Sequence, residues 1–217
     1  MARESRAARA RRLAEIRAAL GRTYPEAHCE LNYSTPLELL VATILSAQCT
    51  DRQVNIVTAD LFRRFRTARD YADAPADSLE QALRRLGLFR SKARNLRACC
   101  RRIAEEHGGR VPADMPALQR LAGVGRKTAN VVLGNAFGQQ QGIVVDTHVS
   151  RLSARLRLSA ASRPELIERD LMAIVPREEW TLFSHWLIWH GRQRCRARHP
   201  DCPACELRTW CPSAGRA

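Results

Sequence analysis

Four cysteines near the end of the chain, Cys195, Cys202, Cys205 and Cys211, are spaced C-x6-C-x2-C-x5-C. Four thiolates in so short a segment form a ligand set. They can hold a tetrahedral zinc ion or a [4Fe–4S] cluster, and the spacing alone leaves both open. A second kind of chemistry needs an amine. Of the 36 basic residues 34 are arginine, and Lys92 and Lys127 are the two lysines. Arginine keeps its proton, so a covalent step through a side-chain amine has two candidates. Lys127 follows Gly123-Val124-Gly125-Arg126. Paired glycines permit positive φ and close backbone approach, and a helix beginning behind them offers free N–H groups and a positive dipole end to a phosphate. The same residues also suit a tight corner between two helices, with Lys127 as a phosphate contact. Asp146-Thr147-His148 stands nineteen residues past Lys127. Asp146 is a good helix N-cap there, and a cap also holds a carboxylate still for chemistry.

The chain that positions these groups has 217 residues and a formal net charge of +14. That length supports one compact domain or two small ones, with a core that needs no disulfide staples. Its composition, 45% hydrophobic and 27% charged, is that of a folded protein. No apolar run is long enough to cross a membrane, and the Arg-rich start lacks the apolar stretch of a secretory signal. The charge points to a polyanionic partner, nucleic acid first, although an arginine-coated surface without a partner fits it equally.

Most of the sequence reads as helix. Ser5 to Leu20 is an Arg-rich amphipathic stretch, and Pro36 to Leu45 is apolar nearly all round, which requires burial on most sides. Asp51 caps a helix to about Arg66. Further helices are expected over Ala76 to Leu86, Ser91 to His107 (stopped by Gly108-Gly109), Met115 to Leu121 and Arg126 to Phe137. Ile143-Val144-Val145 suits a short strand. Thr147 to Leu156, Arg163 to Val175 and Trp180 to Gly191 complete the helices, and Gln139 to Gly142 is the clearest break between domains. His185 and His190 are five apart, which misses the one-turn spacing of a helical metal pair. They read as packing or phosphate-contact residues.

LAGVGRKTANVVLGNAF followed by VDTH resembles the helix-hairpin-helix and catalytic-aspartate region of the endonuclease III family of DNA glycosylases. The cysteine spacing resembles that family's iron–sulfur loop. STPLELLVATILSAQCTD and LGLFRSKA resemble its early helix and one of its DNA-facing loops, so the likeness runs from about residue 29 to 211. It implies an all-α, two-lobed protein. One lobe, 29–140, is a six-helix domain with the helix-hairpin-helix. The other, 1–28 with 141–217, carries the cluster loop at 195–211, and the DNA cleft lies between them.

The resemblance assigns roles as well. Lys127 becomes the nucleophile, its amine attacking C1′ of the damaged nucleotide. Asp146 assists it, with His148 in support. Gln48 and Leu88, with Leu86 beside them, fill the gap left by an extruded base. Gly123, Gly125 and Arg126 bind the DNA backbone. Cys195, Cys202, Cys205 and Cys211 hold a [4Fe–4S] cluster, and the arginines around them, Arg192, Arg194, Arg196, Arg198 and Arg208, meet phosphates. The implied activity is a bifunctional DNA glycosylase and abasic-site lyase on oxidised pyrimidines in duplex DNA, monomeric and acting in the cytoplasm at the bacterial nucleoid. Two rivals remain. A single-function adenine glycosylase of the same superfamily lacks the lysine and carries a further C-terminal domain, whereas this chain runs six residues past Cys211. A non-enzymatic, cluster-bearing DNA-binding protein gives no reason for Lys127 with Asp146. Two positions depart from the family pattern: Ala122 replaces a usual proline, and Gln119 replaces a glutamate of some relatives. Cys49 sits where a small residue is common, a harmless difference.

Overall fold

The computed structural model describes residues 4–216. Among these, regular structure consists of α-helices and two short 3-10 turns, and no residue forms a strand. No helix among them is long and apolar enough to cross a membrane. Contacts divide the chain into two units, one continuous over Cys29–Gln141, the other built from the residues on either side of it.

The N-terminal part of the discontinuous unit is α1 (Arg6–Thr23), capped where Ser5 Oγ accepts from Ala8 N at 3.2 Å. Its apolar residues Leu13, Ile16 and Leu20 fall three or four apart, so one stripe is buried and the arginines stay on the rim. Arg12 donates to the carbonyls of Leu156 and Trp210, and Arg17 pairs with Glu179.

The continuous unit follows. Thr35 caps α2 (Pro36–Leu45), and Pro36 fits a first turn whose N–H groups are free in any case. Residues Leu39 to Leu45 of α2 are all buried, as an all-round apolar helix requires. Next comes α3 (Asp51–Arg64). Its cap is Thr50, whose Oγ1 accepts from Gln53 N at 3.3 Å, rather than Asp51. Asp51 sits one residue inside, where its charge meets the positive helix end. The sequence reading passes over α4 (Ala68–Asp73), which has six residues and is too short to show a period. It is fixed by a reciprocal capping box between Thr67 and Asp70. Then come α5 (Ala76–Leu83), α6 (Phe89–Glu106), α7 (Met115–Gln119) and α8 (Arg126–Phe137). The long α6 packs on α2, α4 and α5, while α8 packs on α2 and α7. Their shared core includes Leu40, Leu45, Leu61, Leu83, Leu96, Ile103 and Leu133. Gly108 and Gly109 stop α6 at φ +58° and +77°, and Gly109 N closes onto Ile103 O at 3.0 Å.

After Gly142 the chain returns to the first unit. Ile143, Val144 and Val145 are buried but form no strand. Val144 N donates to Ser184 Oγ at 3.0 Å, so the segment's backbone is satisfied by a helix side chain instead of a neighbouring strand. Three helices follow, α9 (Thr147–Arg155), α10 (Pro164–Met172) and α11 (Trp180–Gln193). α11 packs against both α1 and α9 around Ile16, Leu20, Val149, Leu152, Phe183 and Leu187. Truncating a buried leucine in such a core costs about 2–5 kcal/mol.

Candidate active site

The turn between α7 and α8 carries the hairpin. Gly123 adopts φ +78°, and a Cβ there would lie 3.3 Å from Asn95 Cβ and 3.5 Å from Ile44 Cγ2. Both the backbone sign and the crowding therefore demand glycine. Gly125 is different. It is extended, has open space where a Cβ would point, and is the N-cap of α8 without a side-chain acceptor. The N-cap thus supplies no side-chain acceptor to the first turn of α8. Lys127 lies at the second position of this helix and is exposed, as is Arg126. Lys92, the other lysine, is only 4% exposed. Its Nζ donates to Cys49 Sγ at 3.0 Å, which removes it as an attacking amine.

Gln48 and Leu88 share a backbone feature the sequence does not reveal. They adopt φ +54° and +57°, the left-handed region that non-glycine residues rarely enter. Each such residue costs about 1–3 kcal/mol, and such strain gathers at functional sites. Leu88 is 59% exposed, so it is no core residue, whereas Leu86 is 2% exposed and belongs to the core. Leu86 is therefore not available to fill a gap. Gln48 is exposed as well. The two loops touch, since the position of a Cβ on Gly87 lies 4.0 Å from both Gln48 O and Cys49 Sγ.

In the other unit, Asp146 is the N-cap of α9, with Oδ1 accepting from Val149 N at 2.8 Å. The cap uses one carboxylate oxygen and leaves Oδ2 to other work. His148 is half-buried and accepts from Arg151 Nη2 at 3.1 Å through Nδ1. Gly191 of α11 lies against this pair; a Cβ there would sit 2.9 Å from His148 Nδ1 and 3.0 Å from Arg151 Nη2.

The four cysteines of the C-terminal segment are free thiols and line one cavity with Leu152, Leu207 and His190. Burial pushes the Cys205 thiol up to about 11, and a metal centre held by such a thiol would release its proton. Two arginines of α9, four residues apart, grip the segment. Arg151 donates to the carbonyls of Gly191 and Cys195, and Arg155 donates to Cys195 Sγ at 3.3 Å and to the carbonyls of Arg196 and Ala197. Their spacing on one helix face was the available signal, hidden among 34 arginines. Arg194 has protein partners of its own. It forms ion pairs with Asp201 at 2.8 Å and Glu206 at 2.7 Å. Arg196, Arg198 and Arg208 are exposed, as is Arg192. His190 is a packing residue, 2% exposed, with Nδ1 bonded to the Tyr24 hydroxyl at 3.0 Å. Burial lowers its pKa to about 4, so it is a neutral imidazole. Burial likewise lowers His185 to about 4. The atoms of His190, Cys205 and Glu206 lie within 4.8 Å of one another, but Glu206 is already engaged by Arg194.

A family model described as HhH-GPD superfamily base excision DNA repair protein matches residues 41–177. The chain belongs to the HhH-GPD superfamily. Among curated HhH-GPD relatives, Endonuclease III of Synechocystis sp. is 50% identical over 96% of this chain and 95% of its own. That of Bacillus subtilis is 46% identical over 88% of each. A solved non-covalent Endonuclease III–DNA complex superimposes with a TM-score of 0.90 at 44% identity, covering 94% of this chain and 96% of that one. A trapped Endonuclease III–DNA covalent intermediate gives 0.87 at 45%, covering 93% and 96%.

Proposed function

We propose that this HhH-GPD protein is a bifunctional DNA glycosylase and abasic-site lyase that removes oxidised pyrimidines from duplex DNA in base excision repair. The observation that carries the reading is Lys127, an exposed amine in the first turn of a helix whose N-cap is a glycine with no side-chain acceptor. Its likeness to a trapped covalent Endonuclease III–DNA intermediate supports a step through such an amine.

In this mechanism the hairpin comes first. The backbone N–H groups behind Gly123 and Gly125, with Arg126, hold a phosphate and so place the strand beside Lys127. The target nucleotide leaves the stack, and Gln48 and Leu88 fill the space it vacates. Lys127 attacks C1′, the damaged base departs, and the resulting Schiff base makes the C2′ proton acidic. Loss of that proton breaks the strand by β-elimination. Asp146, held at the start of α9, accepts the amine's proton and stabilises positive charge at the sugar through its free oxygen. His148 keeps Arg151 turned toward the cysteine segment.

Cys195, Cys202, Cys205 and Cys211 are the residues that would hold a [4Fe–4S] cluster. Four free thiols around one cavity, one of them already taking an arginine hydrogen bond, suit that donor set. When bound, such a cluster supplies redox-capable iron held by thiolates. The protein's own part is to present Arg196, Arg198 and Arg208 on the gripped segment as phosphate contacts.

Borohydride trapping on duplex DNA containing an abasic site or thymine glycol tests the activity. A covalent protein–DNA species and strand cleavage are expected. Tight binding with no trapped species would leave a DNA-binding protein without this chemistry.

A further inference from the structure

A buried lysine without a carboxylate is an expensive feature. Lys92 is 4% exposed, and among the described residues its Nζ bonds to a single partner, the sulfur of Cys49. An ammonium removed from water normally needs paired charge or several acceptors to offset its desolvation. Lys92 is placed on the buried face of α6, in line with Leu96, Cys99 and Ile103. Nothing about packing requires nitrogen at that point in the stripe, since a methionine has nearly the same length and shape.

What lies at the two ends of this bond explains the cost. Cys49 directly follows Gln48, and Lys92 lies one helical turn past Leu88, whose carbonyl accepts from Lys92 N at 3.0 Å. The bond therefore ties together the neighbourhoods of Gln48 and Leu88, two of the four non-glycine residues that adopt positive φ among the described residues. Gln48 lies in the turn that ends α2, closed by Cys49 N donating to Ser46 O at 3.1 Å. Leu88 begins α6 without a side-chain cap. Strain of this kind persists only where the surroundings over-determine it. A Cβ on Gly87 would stand at ordinary van der Waals distance, 4.0 Å, from both Gln48 O and Cys49 Sγ, so the two loops lie side by side.

We infer that the Lys92–Cys49 pair is a clasp that holds Gln48 and Leu88 in the register needed to fill the gap beside an extruded nucleotide. Both are positioning residues. The inference rests on the gap-filling reading of Gln48 and Leu88 given above. It assigns a purpose to Cys49 and to a lysine that the reaction does not consume.

The test compares affinity for a duplex containing a tetrahydrofuran abasic analogue with affinity for the same duplex undamaged. Lys92→Met and Cys49→Ala should each lose about tenfold in affinity for the abasic duplex, the scale of one hydrogen bond to a charged group. Affinity for undamaged DNA should stay within about twofold, since the phosphate contacts are elsewhere. Cys49→Ser should keep most of the discrimination, because a hydroxyl still accepts from Lys92. A merely structural role would lower the thermal midpoint and both affinities together and would not distinguish Ser from Ala at position 49. Should Lys92→Met fail to fold, the Ala and Ser variants at position 49 still decide. Equal behaviour of those two, or an unchanged affinity ratio in both, overturns the clasp. Gln48→Ala and Leu88→Ala separate the two ideas. If they lower the ratio and the clasp variants do not, only the clasp fails. If they too leave it unchanged, the gap-filling reading itself fails.

Discussion

The starts of α8 and α9 are built from the same backbone and finished in opposite ways. At α8 the N-cap is Gly125, with no side chain to accept from the first turn, and Arg126 and Lys127 follow. At α9 the N-cap is Asp146, whose carboxylate occupies the first-turn N–H of Val149 at 2.8 Å. On the proposed reading one helix end receives a phosphate; the other holds a carboxylate of its own chain. A helix terminus is thus an interchangeable part, and its cap residue decides whether it recruits a phosphate or immobilises a carboxylate. The residue adjoining each cap inherits the consequence. In the proposed mechanism Lys127 stands beside the held phosphate, while Asp146 is kept in one orientation by its cap to Val149.

That contrast can be broken from either side. The largest effect is expected from Lys127→Ala, which should abolish borohydride cross-linking while leaving duplex binding largely intact, because the first-turn N–H groups of α8 remain. Gel analysis of trapped species reads this directly, and undiminished trapping would transfer the nucleophile to the chain's amino terminus. Asp146→Asn comes next. It can retain the cap to Val149 but loses the charge, so single-turnover base release should fall by about 10²-fold or more. Wild-type release would reduce Asp146 to a capping residue. A third change makes the two ends alike. Gly125→Asp fits sterically, since nothing lies within 4 Å of a Cβ there. It should cost about tenfold in affinity for damaged and intact duplex alike, with a few tenths of a kcal/mol gained in folding stability. Unaltered DNA affinity would show that the α8 terminus is not a phosphate site. The smallest change is Arg126→Ala, expected to weaken both duplexes together and to flatten the salt dependence by about one unit of slope.

Features written as patterns of side-chain type were open to sequence reading, and features written in backbone or burial were not. α2 announced itself through apolar residues on every side, and the α6 stop through Gly108-Gly109. α4 did not, because six residues hold less than two turns, though Thr67 and Asp70 spell a capping box. Ile143 to Val145 suggested a strand because three β-branched residues say only that the segment is buried. Leu88 was the hardest residue to read. It stands in Leu-Gly-Leu-Phe, apolar throughout, and nothing in the letters separates the buried Leu86 from the exposed Leu88. Lys92 was within reach, for it falls on the same helical stripe as Leu96 and Ile103. A charge on such a stripe asks for a partner. That the partner is a thiol 43 residues earlier belongs to the fold.

The near-absence of lysine has a practical side. With Lys92 enclosed, Lys127 is the exposed side-chain amine of the whole chain. Reagents that acylate or reductively methylate amines, which on most proteins scatter over the surface, should here mark a single internal peptide besides the amino terminus. The extent of marking then becomes a footprint. A bound duplex that shields Lys127 would show as a missing mass increment, and a titration of that increment would report occupancy without any label on the DNA.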